Sequence, residues 1–136
     1  MRNKYKLFFL LCATVFIMAS CSGSKNIQKK WKAEDAVNKV FSIEFKDKEM
    51  IVSNENKTEK LAYKQNAVGV SNGIKYYGIT VNNQSYSVIF PEKGNEELAL
   101  LMRISGDDYL DGTLVYAMNT KEQPDYKEYA VKFLNN

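Results

Sequence analysis

The sequence predicts a mainly β protein: an antiparallel meander of about seven to eight strands, closed or nearly closed into a barrel, with one C-terminal α-helix. Three observations carry that prediction. From Trp31 onward apolar and polar residues alternate with period two, the pattern of half-buried strands. The strand-like stretches follow one another through short loops, and such a meander removes its exposed edges by closing on itself. Only the tail after Pro124 changes to a helical period.

The first element stands outside that fold. Arg2, Lys4 and Lys6 open the chain, Leu7 to Ile17 form an apolar run, and Met18-Ala19-Ser20 precede Cys21. That order is a secretory signal. The run is too short for the ~30 Å hydrocarbon core, which needs roughly 20 apolar residues as a helix. Residues 1–20 therefore read as a cleaved signal peptide. The stretch resembles the lipobox of bacterial lipoproteins, with Ala19 and Ser20 at the expected places and Met18 where Leu is commoner. It implies that the Cys21 thiol carries diacylglycerol and that acyl chains such as palmitate hold the protein in membrane lipid on the outer face of the cell. Dual acylation anchors stably where a single chain does not. Ser22 to Lys30 are polar and aperiodic, so residues 21–30 read as a lipidated tether and residues 31–136 as a single domain.

Within the domain, Phe41, Ile43 and Phe45 alternate with Ser42 and Glu44, and Asp47-Lys48 turns the chain into Met50-Ile51-Val52, a hairpin. Leu61 to Val70 reads as a longer strand. Asn72-Gly73 tolerates the positive φ angles of a tight primed turn, so Ile74 to Val81 follows as its hairpin partner. Asn82-Asn83 is the next turn and leads to Ser85–Phe90, which Pro91 stops by removing an amide donor. After loop 91–96 comes Leu98 to Ile104; after loop 105–111 comes Thr113 to Met118. In the tail, Pro124 suits a first helical position and Asp125 the positive end of a helix dipole. Tyr126, Tyr129, Ala130, Phe133 and Leu134 share one face of a helix over about 124–134. Trp31 reads as a plug at one end of the core.

The alternation gives the expected interior: Phe41, Ile43, Phe45, Tyr77, Ile79, Tyr86, Val88 and Phe90, then Leu98, Leu100, Met102, Leu114, Tyr116 and Met118, with Gly78 on the opposite face. These side chains are large, and an eight-stranded barrel is just wide enough to be filled by side chains or to hold one small ligand. The expectation is therefore a packed or nearly packed interior.

Counts exclude much chemistry. The chain has 19 Lys plus Arg and 16 Asp plus Glu. Arg2, Lys4 and Lys6 leave with the signal, so the mature chain is formally neutral. A role with nucleic acid is not expected despite Lys25, Lys29, Lys30 and Lys32, which read as keeping the tether solvated beside anionic head groups. There is no histidine. With Cys12 lost and Cys21 alkylated, thiol and imidazole catalysis and the usual zinc sites fall away.

The stretches YKQNAVGVSNGIKYYGITVNNQSYSVIFPEK (63–93) and LVYAMNTKEQPDYKEYAVKFL (114–134) resemble small cell-surface lipoproteins of Gram-positive cocci with a lipocalin-like barrel. The resemblance implies an antiparallel barrel with a C-terminal helix and a surface location, and implies no activity. Lys29-Lys30-Trp31 stands where typical lipocalins have Gly-x-Trp.

Three clusters are candidate sites. Asp107, Asp108, Tyr109 and Asp111 form an acidic loop; Ca²⁺ wants six to eight oxygens, and the spacing differs from an EF-hand loop, so the expectation is a solvated binding loop without metal. Glu96, Glu97 and Glu122 are carboxylates of the type that glycoside hydrolysis pairs. Nine tyrosines against one Trp suit a partner-binding exterior or, more simply, barrel wall and helix packing. The function expected first is a non-enzymatic, membrane-anchored surface lipoprotein binding a protein or cell-envelope component through its barrel exterior or loops, with no cofactor. The alternative is a lipocalin-like carrier of a small apolar ligand, and a carboxylate-based hydrolase trails both.

Overall fold

The computed structural model describes residues 23–134; the signal peptide and the Cys21 lipidation expected from the sequence lie outside the described residues. The meander closes. Eight strands run in order, β1 (Lys30–Glu34), β2 (Val40–Phe45), β3 (Glu49–Ser53), β4 (Thr58–Ser71), β5 (Ile74–Val81), β6 (Gln84–Phe90), β7 (Leu98–Arg103) and β8 (Thr113–Asn119), followed by helix α1 (Tyr126–Leu134). Each strand pairs antiparallel with its sequence neighbour, and β1 also pairs with β8, Ala33 opposite Met118, which completes the barrel.

The turns follow from residues that tolerate a left-handed backbone. Asn72 (φ 54°) and Gly73 (φ 78°) join β4 to β5, and Asn82 (φ 50°) and Asn83 (φ 62°) join β5 to β6, both primed geometry matched to strand twist. The turns after β2 and β4 and the loop after β6 gather at one end, with residues 23–29. Those after β1, β3 and β5, and the loop after β7, gather at the other.

Two apolar layers result. Inside the barrel lie Trp31, Ile43, Phe45, Tyr77, Ile79, Val88, Phe90, Ala99, Leu101 and Met118. Outside, α1 and loop 104–112 cover the wall of β6 to β8, burying Ile89, Leu98, Leu100, Met102, Ile104, Leu114 and Tyr129. Leu98, Leu100, Met102 and Leu114 are thus corrections to the expected interior. Both faces of β7 are apolar, so alternation alone had no sign for that strand, and its outer face is buried in the layer that α1 and loop 104–112 build. In β8 a bulge intervenes: Leu101 faces Tyr116 but Met102 faces Leu114, leaving Val115 extra and turning Leu114 outward.

The expected tether is also corrected. Ile27 is fully buried in the barrel end, and its carbonyl accepts the Trp31 indole N–H at 3.2 Å. Ser24 and Gln65 bond reciprocally, Ser24 N–H to Oε1 at 2.7 Å and Gln65 Nε2 to Ser24 Oγ at 2.8 Å. Gly23 N–H reaches the Asp47 carbonyl at 2.8 Å. Residues 23–29 therefore seal one end of the barrel, where burial of Ile27 contributes about 1.5–3 kcal/mol. Trp31 sits against this seal, as the plug its position suggested.

α1 begins two residues later than expected, with Asp125 as its cap: Asp125 Oδ1 accepts Glu128 N–H at 2.9 Å. Tyr126, Tyr129, Ala130 and Phe133 pack on the wall, while Leu134 stays exposed.

Candidate functional site

The half of the barrel nearest the seal is full. Trp31, Phe90 and Tyr77 interlock, with ring centroids 6.1 Å and 5.8 Å from Phe90, and Phe45 meets Tyr63 edge-on at 5.4 Å. The other half is not, and this corrects the expected packed interior. There the inward residues are Met50, Val52, Leu61, Ile79, Val81, Leu101 and Val115, smaller than the aromatic stack, and they leave a cavity of about 340 Å³. Phe41 and Tyr116 form one wall, edge to face at 5.2 Å. The mouth is framed by the turns after β3 and β5 through Asn54, Lys57, Glu59 and Asn82.

Charged and amide groups sit at the rim. Lys57 Nζ and Glu59 Oε1 are 3.1 Å apart in an exposed ion pair, which adds little to stability. Asn54 Oδ1 holds its own turn, accepting Asn56 and Lys57 N–H groups at 2.9 Å each. Tyr86 and Tyr116 line the cavity below. Tyr63 donates to the Lys46 carbonyl and Tyr126 to the Leu114 carbonyl at 2.6 Å, whereas Tyr86 and Tyr116 hydroxyls have no such partner among the described residues. Burial, and then the charges of Asp35 and Glu59, push the Tyr116 hydroxyl above its ordinary pKa, so it stays a protonated donor at neutral pH. The site is an apolar pocket with two hydroxyl donors below a polar rim whose one cation and one anion are paired.

The residues expected as sites are placed elsewhere. Asp108 Oδ1 accepts Leu110 N–H at 2.9 Å and its carbonyl accepts Asp111 N–H at 3.2 Å, so the acidic loop is a self-bonded turn. Tyr109 stacks on Tyr76 at 5.1 Å, 8° from parallel, and lies over Gly78, fastening that turn to the outer wall. Asp107, Asp108 and Asp111 do not come together as a metal-binding group, and no such group of three exists among the described residues. Glu96 and Glu97 face lysines, Lys75 at 3.6 Å and Lys121 at 2.7 Å. The tyrosines do not gather on the exterior: Tyr63 and Tyr77 are core, Tyr86 and Tyr116 line the cavity, and Tyr76, Tyr109, Tyr126 and Tyr129 pack in the outer layer.

Sequence reasoning missed Val52, Leu61, Val81, Leu101 and Val115 as site residues. Alternation within 50–52 and 61–63 carried a signal for the first two, whereas Leu101 and Val115 depend on the face of β7 and the bulge in β8. A second, more open depression of about 880 Å³ spreads across β1, β2 and the turn after β3, with Lys30, Lys32, Lys39, Ser42 and Glu55 on its surface. No family model, curated protein or solved structure matches this chain.

Proposed function

We propose that this chain is a membrane-anchored, extracytoplasmic carrier that holds one small, largely apolar molecule in its barrel, bound without catalysis. The observation that supports it is the apolar cavity of about 340 Å³, sealed at one end and open at the other. Ligand pockets usually fall between roughly 300 and 1,000 Å³ and combine apolar walls with few polar groups. A cavity of roughly 150 Å³ holds benzene, so this one suits a molecule of roughly a dozen non-hydrogen atoms. Tyr86 and Tyr116 would donate to an acceptor on that molecule. Glu59 at the rim is balanced by Lys57, so a ligand with a neutral polar end suits the site. This ranks the carrier above binding through the exterior, because the tyrosines that a binding exterior would use lie in the core, the cavity wall and the outer packed layer.

The test is a neutral, environment-sensitive dye of matching size such as 1-aminonaphthalene, titrated into the mature chain. Fluorescence should rise with saturation at one site. Val81→Phe, which fills the cavity, should weaken binding about tenfold, the size of a 1.4 kcal/mol loss, while far-ultraviolet circular dichroism stays unchanged. Equal dye binding by a folded Val81→Phe protein would sink the carrier reading.

A further inference from the structure

We propose that the sealed end of the barrel is a membrane-resting face fitted to an anionic bilayer, so that the cavity mouth points away from the lipid. Two independent observations lead there, the first resting on the Cys21 lipidation reading above and the second not.

The first is chain length. Gly23 is fixed to the Asp47 carbonyl and Ser24 to Gln65, all at the sealed end. Only Ser22 separates that fixed point from Cys21. Two residue steps span at most about 7 Å when fully extended. A barrel anchored through Cys21 therefore has no slack on which to tumble, and the end carrying Gly23 must meet the head groups.

The second is charge. The mature chain is formally balanced, yet its two ends differ. At the sealed end Glu92, Glu96 and Glu97 are held by Lys132, Lys75 and Lys121. What remains exposed in the turns is Lys25, Lys46, Lys48 and Lys93 against Asp47. At the mouth, with the Lys57–Glu59 pair set aside, Asp35, Glu55, Asp107, Asp108 and Asp111 outnumber Lys39 and Arg103. Anionic head groups attract the first end and repel the second, within a Debye length of about 8 Å at physiological salt.

An apolar contact sits at the same end. Beyond Ala62, β4 has only β5 as a partner, so the β4–β5 hairpin overhangs the seal. Its Val68 and Val70 are 61% and 67% exposed. Exposed valines among lysines are the composition of an interfacial surface, apolar contact plus attraction to anionic lipid. The mouth also exposes two valines, Val37 and Val40, but they stand beside Asp35 and opposite Glu34, so the charge around the valines separates the two ends and their apolar area does not.

A consequence for the cavity is that its ligand exchanges with the aqueous side and not directly with the bilayer. The experiment uses the mature chain recovered from membranes, with a fluorophore attached through Lys48→Cys at the sealed end or Lys57→Cys at the mouth. Both changes remove one lysine, so the pair is matched in charge. In phosphatidylglycerol-containing vesicles carrying a head-group quencher, the label at position 48 should be quenched several-fold more than that at position 57. Equal quenching, or stronger quenching at 57, overturns the proposal. The intact mass of the same sample reads Cys21 separately. A bare Cys21 would sink the lipidation reading, and the labels on a Cys21→Ser background, added to the same vesicles, then decide the face: preferential quenching at 48 supports it, and none overturns it.

Discussion

Tyr63 joins the seal to the barrel wall, and it does so by burying a hydroxyl. Its oxygen donates to the Lys46 carbonyl, its ring meets Phe45, and it is 2% exposed. Burial first, and the nearby Asp47 charge second, push its pKa up to about 12. A tyrosine raised in the folded state favours the neutral form. Its contribution is therefore full below the unfolded pKa of about 10 and is lost as pH rises from there toward 12. Urea midpoints measured across that window should fall steeply for the native chain and less steeply for Tyr63→Phe, which starts lower by about 1 kcal/mol from the missing hydrogen bond. Parallel declines in the two proteins would remove Tyr63 from the account. Single residues also show what was legible in advance. Phe41, Ile79, Tyr86 and Tyr116 were placed inside by alternation and do line the cavity. Gln65 was not legible as a buried residue, because its partner Ser24 lies 41 positions away and an amide on a strand ordinarily faces water. Polar Ser24, Asn26 and Gln28 likewise hid the one apolar residue, Ile27, that anchors the seal.

Among the elements, strands whose two faces differ in polarity were readable and those whose faces match were not. β2, β5 and β6 carry their expected inward residues. β7 reads Leu-Ala-Leu-Leu-Met, apolar on both sides, and only the outer layer built by α1, loop 104–112 and neighbouring side chains decides that Leu98, Leu100 and Met102 face out. The loop after β7 depends on a similar match between elements. A Cβ at Gly78 would stand 2.4 Å from the Tyr109 ring and 2.9 Å from Ala67 Cβ. Gly78→Ala must therefore lift Tyr109 off Tyr76 or shift β4, an overpacking cost of about 1–3 kcal/mol. We expect its melting temperature to drop by several degrees, with amide exchange quickening across residues 104–112 and unchanged in β1 to β3. A mutant with native stability and native exchange would show that the stack fastens nothing.

For the whole molecule, the informative contrast is between a sealed, filled half and a mouth half that is hollow. Its closed eight-stranded plan was legible because turn chemistry and period two recur along the chain; its hollowness was not, since a cavity depends on the summed volumes of side chains from β2 to β8. Deleting residues 23–29 tests how far the seal carries the rest. Trp31 should lose its carbonyl partner and shift its emission to the red, and stability should fall by about 2–4 kcal/mol from lost burial and the lost hydrogen bond. An unshifted emission spectrum would mean that the seal is ornamental. The barrel's closure has a further consequence, in time. β1 pairs with both β2 and β8, the first strand with the last. Under the export and anchoring proposed above, hairpins can form early, but the ring cannot close until residue 119 has emerged. Until then the first strand keeps one edge open, and open edges pair with whatever strand they meet. A chain whose start is held at the bilayer while its end is still in transit folds at a fixed place and largely apart from its copies, so anchoring would serve as an assembly aid before it serves as an address.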